Sequence, residues 1–473
     1  MSLSTYPKLN NISTIHITPD GGWVNLSVKE EAWMNKKEDS FLDSTFRKIS
    51  YFPSTPINKS ARDFLLLCDG MTTYSEIIDK LSIMYSITRD EVLESINPFL
   101  EFNIKKDRIK LSSSPMKVVC ETSGSKEIYY PVHMQFELTD KCNMYCNYCY
   151  RNAIFLEESK NLEKDLTERP FDEIKTALDN AYKNGVRIIE ITGGEPMMSK
   201  HFLDIIELLS SYGVLVAVET NGTCITDEIA DRIAEAGNVI LSISLDAHNE
   251  ELNYQICHLQ GAFERTLNGL KLLKDRNVIF RVTSVACVEN IDSLEEVLLL
   301  AMRSGAIEYG PALPISFGRQ RDVQKKDKVQ ADIISNKFAD VYTHLCDKYS
   351  GFITRVSAGL EEFHIEVGNC GAGHRSFSVD PDVNVRACPV NTADWSICGN
   401  IFTQSYESIF SSEKVEFFRK LPAPQPEYCL DCPLLPVCVH CYMRGVDGYI
   451  DRKNIGEPCY WAEKFQIDKI IAT

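Results

Sequence analysis

Three thiols lie within eight residues in Cys142-Asn-Met-Tyr-Cys146-Asn-Tyr-Cys149. Thiolates are soft ligands, and three in one short loop suit an iron–sulfur cluster. A four-iron cluster ordinarily takes four cysteines, so three leave one iron open to a further ligand. The alternative is structural zinc, although zinc knuckles favour paired Cys-x-x-Cys units with a fourth ligand nearby. Cys370, Cys388, Cys398, Cys429, Cys432, Cys438, Cys441 and Cys459 crowd the last quarter of the chain. Cys429-x-x-Cys432 and Cys438-x-x-Cys441 have metal-site spacing. With Cys370, Cys388 and Cys459 they make seven patterned thiols, more than one tetrahedral ion can use, so two sites are required; zinc ribbons are the alternative there. Isolated thiols such as Cys68 and Cys287 read as small core residues.

The elements around these thiols alternate. From His133, apolar runs (MQFELT, VRIIEIT, VLVAVET, VILSISLD, VIFRVTSVA, IEYGPALPI) are separated by amphipathic stretches, and Gly185, Gly213 and Gly237 follow helices where a left-handed cap belongs. Six β-α units predict an α/β fold, an open or partial (β/α)6 barrel with parallel strands. The three-thiol loop then follows the first strand, at the barrel face where active sites form. Thr192-Gly193-Gly194-Glu195-Pro196 ends the second strand beside it. Consecutive glycines allow close backbone approach to a ligand, and Glu195 can receive an ammonium group.

A chain of 473 residues needs two or three cores. Residues 1–112 read as a small domain of short strands followed by three helices, the third opened by a Thr88/Glu91 capping box and kinked or ended by Pro98. Residues 113–131, with SSSP and TSGS, have linker composition. The barrel occupies 132–330, a helical spacer 331–365, and a cysteine-rich tail 366–473.

Hydrophobic content of 44% and charged content of 25% are those of a globular protein. A net charge of −17 argues against nucleic acid as a partner. No apolar run approaches a bilayer span, and the first residues carry no export signal, so no membrane association and a cytoplasmic location are expected. Seventeen cysteines in a reducing compartment then point to metal or redox chemistry.

The three-thiol loop together with Gly-Gly-Glu-Pro resembles the radical S-adenosylmethionine (radical SAM) superfamily. The resemblance implies that Cys142, Cys146 and Cys149 hold a catalytic [4Fe-4S] cluster, that Gly193, Gly194, Glu195 and Pro196 bind the methionine amino group, and that Tyr148 lies against the adenine. It also puts Asn221, Ser244 and Asp246 near the ribose and carboxylate. The tail resembles the SPASM extension, which carries two auxiliary clusters, three [4Fe-4S] clusters in all. The carry-over assigns Cys429, Cys432, Cys438 and Cys459 to one of these and leaves Cys370, Cys388 and Cys441 for the other, with Cys398 able to close it. This chain departs from that pattern where Val383 replaces the usual Gly and where the Cys438–Cys441 gap is one residue short. The first domain resembles the winged-helix-like, PqqD-like leader-recognition element of ribosomal-peptide maturases. It carries 14 Lys and Arg against 15 Asp and Glu through Leu111, unlike a DNA-binding winged helix.

Across linker, barrel and tail, Thr122-Ser-Gly-Ser, Phe136-Glu-Leu-Thr-Asp-Lys-Cys142, Glu190-Ile-Thr-Gly-Gly-Glu195, Asn369-Cys-Gly-Ala-Gly373 and Ser405-Tyr-Glu-Ser-Ile-Phe410 resemble thioether-forming radical SAM/SPASM maturases of the sactipeptide and ranthipeptide kind. That likeness implies an enzyme that uses SAM, three [4Fe-4S] clusters and a flavodoxin- or ferredoxin-type reductant to join cysteine sulfur to carbon in a ribosomal precursor peptide bearing a leader. Other radical peptide modifications on the same architecture are carbon–carbon cross-linking, epimerisation and side-chain oxidation to an aldehyde. A non-catalytic, metal-stapled peptide-binding protein is the reading from a different class.

Overall fold

The computed structural model describes residues 3–10, 12–26, 54–151, 153–155, 168–315, 317–320, 328–353, 369–429, 432, 435–438 and 441–471. At the N-terminus, β1 (Tyr6–Leu9), β2 (Ile12–Thr18), β3 (Gly21–Leu26) and β4 (Ser54–Asn58) precede helices α1 (Lys59–Leu67), α2 (Tyr74–Tyr85) and α3 (Arg89–Lys105). Capping boxes at Thr73/Glu76 and Thr88/Glu91 start α2 and α3 by satisfying orphan N–H groups. Their apolar faces, Ile77, Ile78 and Leu81 with Val92, Ile96 and Leu100, close on Phe64, Ile15 and Val24.

Pro98 does not end α3. The helix continues to Lys105, because Leu100 is fully buried and Phe99 meets Phe64 edge-on at 6.0 Å, so packing outweighs one lost backbone bond. The stretch with linker composition is ordered as well. After β5 (Ile109–Ser112), which pairs with β1, residues Glu121–Gly124 form β6 and join the sheet in the order β4-β3-β2-β6.

The barrel strands are β7 (His133–Thr139), β10 (Ile188–Gly193), β11 (Leu215–Thr220), β12 (Val239–Ser244), β13 (Phe280–Val285) and β14 (Tyr309–Ala312), all parallel. Between β7 and β10 lie the two-residue strands β8 (Lys141–Cys142) and β9 (Ile154–Phe155), then α4 (Phe171–Lys183). Outer helices α5 (Phe202–Tyr212), α6 (Asp227–Ala236), α7 (Glu250–Cys257), α8 (Ala262–Asp275) and α9 (Leu294–Ser304) complete the crossovers. Val216, Val218, Leu241, Ile243 and Val282 face those helices. The opposite strand faces start with Ile188, Leu215 and Ile240, which close the N-terminal end of the lumen.

After α10 (Lys328–Lys348), residues 354–368, the end of the spacer and the first residues of the tail, lie outside the described set. The tail then extends the barrel sheet: β15 (Ser376–Val379) pairs in parallel with β7, followed by antiparallel β16 (Asn384–Arg386) and β17 (Ile397–Asn400), giving nine strands ordered β14-β13-β12-β11-β10-β7-β15-β16-β17. Val383, in the turn before β16, is buried with φ 58°. A β-branched residue held there costs about 1–2 kcal/mol, which is why glycine suits this position. Helices α11 (Tyr406–Phe410), α12 (Glu413–Lys420), α13 (Leu435–Cys438), α14 (Tyr442–Asn454), α15 (Tyr460–Lys464) and α16 (Ile467–Ile471) finish the tail around fully buried Trp461. No helix among the described residues is long and apolar enough to cross a membrane.

Candidate functional site

Cys142 ends β8, directly beyond the C-terminal end of β7. The loop that follows docks on the end of α7, where Tyr145 N–H donates to Cys257 O at 2.9 Å and Asn147 N–H to Ile256 O at 3.2 Å. Gly318 and Arg319, which sequence reasoning missed, hold its other side. Arg319 Nε donates to Cys146 O at 3.0 Å, Nη1 to Ala153 O at 2.9 Å and its backbone N–H to Cys149 O at 3.0 Å, while its guanidinium stacks 4.2 Å from the Tyr145 ring. A Cβ on Gly318 would stand 2.4 Å from Tyr150 O. Nothing in a Gly-Arg pair so far along the chain signals this.

Burial pushes the Cys142 thiol up to about 12, with Glu195 and Cys149 adding to it. Cys146 is also raised well above the usual thiol value, first by burial and then by Cys142, Asp246, Cys257 and Cys149. Thiols whose ionisation is opposed in this way, as at Cys142 and Cys146, fit an iron–sulfur cluster, whose positive irons remove that penalty. Among the described residues, no three His, Cys, Asp or Glu side chains converge as ligands of one ion. A four-iron cube spaces its thiolates more widely than a single tetrahedral ion does.

Gly193 and Gly194 lie where the end of β10 crosses that of β7. Gly194 N–H donates to Thr139 O at 2.6 Å and Glu195 N–H to Lys141 O at 2.8 Å. Cβ atoms on the glycines would lie 2.4 Å from Thr139 O and 2.1 Å from Lys141 O. The close approach they permit is thus to neighbouring backbone. Glu195 is fully buried, accepting from Thr220 Oγ1 at 2.7 Å, Asn221 N–H at 2.8 Å and Met197 N–H at 3.1 Å. Through these bonds its carboxylate ties β10 to β11. Pro196 opens the 3-10 turn Pro196–Met198.

Asn221 Nδ2 donates to Asn143 Oδ1 at 2.9 Å, and Asn143 Nδ2 to Thr223 Oγ1 at 2.8 Å, which links the cluster loop to the end of β11. Tyr148 Oη donates to Asp246 Oδ2, and Asp246 Oδ1 accepts from Val285 N–H at 2.7 Å. Burial raises the Asp246 carboxyl to about 6, against the pull of those two bonds. Ser244 is exposed at the end of β12. The fold therefore brings Cys142, Cys146, Cys149, Tyr148, Glu195, Asn221 and Asp246 to one rim.

Below the rim the lumen is polar. Gln135 Nε2 donates to Glu190 Oε1 at 2.8 Å, His133 lies 3.4 Å from Glu190, and Arg281 joins Ser242 at 3.0 Å and Glu219 at 3.2 Å. Tyr150 is raised by burial and then by Glu190, Cys149, Glu219 and Cys388, so one phenol senses a thiol of the loop and a thiol of the tail. None of these lumen residues was legible in the strand pattern.

In the tail, Cys388 is raised by burial and then by Cys370 and Cys441, so these three thiols share one neighbourhood. Cys398 donates to Ser396 O at 3.5 Å and, like those three thiols, acts on the buried Tyr442 phenol, so it stands near the same site. The second set is separate. Cys429, Cys432, Cys438 and Cys459 line one small cavity of about 20 Å³ with Gly445, Gly448, Arg452 and Trp461. Cys438 is pushed up to about 12 by burial, then by Cys432, Cys459 and Cys429. Four soft donors around one enclosed space fit a fully ligated cluster.

Residues 136–301 match the radical SAM superfamily model, and residues 370–433 match the SPASM iron–sulfur cluster-binding domain. Over 98% of both chains, the protein is 29% identical to the antilisterial bacteriocin subtilosin biosynthesis protein AlbA of Bacillus subtilis (strain 168). It is 28% identical to the mycofactocin maturase MftC of Mycolicibacterium smegmatis over 65% of this chain and 77% of that one. Among solved structures, Streptococcus suis SuiB bound to precursor peptide SuiA has the same fold, with TM-score 0.60 and 13% identity over 93% of this chain and 97% of that one.

Proposed function

We propose that this chain, a radical SAM/SPASM enzyme, matures a ribosomally made precursor peptide by joining cysteine sulfur to carbon. The observation that carries this reading is the likeness to a subtilosin biosynthesis protein over 98% of both chains, which takes in the N-terminal domain and the tail as well as the barrel. A shared fold with SuiB, crystallised with its precursor peptide, supports a peptide as substrate.

Cys142, Cys146 and Cys149 hold the catalytic [4Fe-4S] cluster, and Tyr148, Gly193, Gly194, Glu195, Pro196, Asn221, Ser244 and Asp246 surround SAM. When bound, cluster and SAM supply a 5′-deoxyadenosyl radical that removes a hydrogen atom from the acceptor carbon. Because the Glu195 carboxylate already accepts three hydrogen bonds, its part is to fix the ends of β10 and β11, and the backbone carbonyls around it take the ammonium group. Asp246 fixes the Tyr148 ring for the adenine. Gln135, Glu190, Glu219 and Arg281 line the lumen that receives the acceptor side chain. Cys370, Cys388 and Cys441 hold an auxiliary cluster with one open position for the substrate thiolate, and Cys429, Cys432, Cys438 and Cys459 hold another. The N-terminal domain captures the leader, and a small flavodoxin- or ferredoxin-type protein in the cytoplasm supplies electrons.

The test is anaerobic incubation of the reconstituted enzyme with SAM, a reductant and a leader-bearing, cysteine-containing precursor. Each thioether removes two hydrogens and one alkylatable thiol. Loss of two hydrogens with every thiol still alkylatable would instead mean a carbon–carbon bond or a side-chain alcohol oxidised to an aldehyde, and an unchanged mass would exclude cross-linking.

A further inference from the structure

Arg452, in α14, reaches into the four-thiol cavity from the side of Cys432. Its Nη1 donates to Cys432 Sγ at 3.2 Å, its Nε to Pro458 O at 2.8 Å, and its Nη2 meets Glu457 Oε2 at 3.2 Å. The side chain is only 14% exposed and lines the same cavity as Cys429, Cys438 and Cys459. Its charge also acts against the burial of Cys429 and Cys459. At the other tail set a neutral phenol, Tyr442, is the hydrogen-bonding neighbour of Cys388, while Arg375 acts on Cys370 through its charge.

Hydrogen bonds to cluster sulfurs raise a cluster's reduction potential, and a charged donor does so more strongly, since the reduced cluster carries one more negative charge. We propose that Arg452 makes the Cys429/Cys432/Cys438/Cys459 site the more easily reduced of the two tail clusters. The inference rests on the reading of these thiols as cluster ligands, and goes beyond it by assigning the electron's destination. The balance is simple. A carbon radical and a substrate thiolate form one S–C bond and release one electron. That electron lowers the charge of a tail cluster by one unit, and no proton moves in the step. With Arg452 in place, the electron comes to rest at the four-thiol site, away from the substrate.

The experiment uses the full-length chain carrying C142A, C146A, C149A and C388A, so that the four-thiol site is the one loaded, with about four irons expected per chain. Redox titration followed by electron paramagnetic resonance then compares this parent with R452Q, R452K and E457Q. R452Q is expected to shift the reduction equilibrium at least tenfold against the reduced form, a fall of about 59 mV for one electron. R452K, which keeps a charge but loses the planar fork, shifts it less. E457Q frees Arg452 of its counter-charge and shifts the potential the opposite way. If Arg452 only anchored the loop before Cys459, R452Q and E457Q would both lose iron, or neither would move the midpoint. An unmoved midpoint in iron-loaded R452Q, or the same direction of shift in R452Q and E457Q, overturns the proposal. Should R452Q fail to load iron, the direction in E457Q decides it. A parent without iron refutes the cluster reading itself, and this inference falls with it.

Discussion

The thiols at the barrel rim and those of the tail solve the same ligand problem differently. Cys142, Cys146 and Cys149 stand on one short loop, so local spacing selects the donors, and the barrel only has to aim them. It does so through Arg319 on one side and the Asn143–Asn221 pair on the other. In the tail, the donors of the four-thiol site come from separate short helices and the turns between them, gathered around Trp461 and Gly445. There the fold selects the donors themselves. Errors at the rim should therefore cost chemistry, and errors in the tail should cost assembly or the fate of the radical.

The largest effect expected from this contrast is at the rim. Replacing Cys142, Cys146 and Cys149 together with Ala should abolish 5′-deoxyadenosine formation while tail iron remains, read by chromatography and iron assay. Continued reductive cleavage of SAM would move the catalytic site elsewhere. In the tail, Cys441→Ala should leave 5′-deoxyadenosine formation in place but uncouple it from cross-linking, whereas Cys398→Ala should leave the spectrum of the peptide-free enzyme unchanged, as expected of a cluster held by Cys370, Cys388 and Cys441 alone. A changed spectrum in Cys398→Ala would mean four protein ligands and no open position for substrate sulfur.

Arg319→Ala keeps every thiol but removes the side-chain bonds to Cys146 and Ala153 and the stack on Tyr145. Loss of such supporting partners typically lowers metal affinity or activity by about 10–100-fold, so single-turnover SAM cleavage should slow by that order with tail iron intact. Retention of full activity would show that α7 alone positions the loop. A chain lacking residues 1–125, which takes β6 away with its sheet, should still cleave SAM but process a leader-bearing peptide poorly. Undiminished leader affinity, measured by fluorescence anisotropy, would refute peptide capture by the first domain.

The smallest effect concerns the seam between the N-terminal sheet and the barrel. His16 is fully buried, with Nε2 at 2.7 Å from Tyr130 O and Nδ1 at 3.0 Å from Ser123 Oγ. Burial lowers it to about 4, the Tyr130 bond opposing this and Arg187 adding to it. Above about pH 6.5 both folded and unfolded chains leave it neutral, so it contributes no slope. As pH falls from 6.5 to 4, the unfolded chain takes a proton that the folded one refuses, and stability drops by about 1.4 kcal/mol per unit, roughly 3 kcal/mol in all. Urea melts at pH 7 and pH 5 should therefore differ more for the parent than for His16→Gln. An identical pH dependence would place the loss elsewhere.

Much of the first domain and the barrel was legible because the information is local. Alternating apolar runs, capping residues such as Thr88 and helix-ending glycines such as Gly213 each act within a few residues. The three-thiol loop was legible for the same reason. Pro98 does not end α3 because packing of Leu100 outweighs one lost bond, and residues 121–124 misled because Ser and Gly composition says nothing about a neighbouring strand edge at β2. The pairing of β15 with β7, the grip of Arg319 on Cys146 and the engagement of the Glu195 carboxylate by Thr220 and Asn221 join positions far apart in sequence. The amino-acid order decides which donors exist and which short segments fold. Which donors face one another, which carboxylate is free and which thiol meets a cation follow from chain crossings that no local pattern encodes, because hydrogen-bond and charge energies depend on distance in space rather than along the chain.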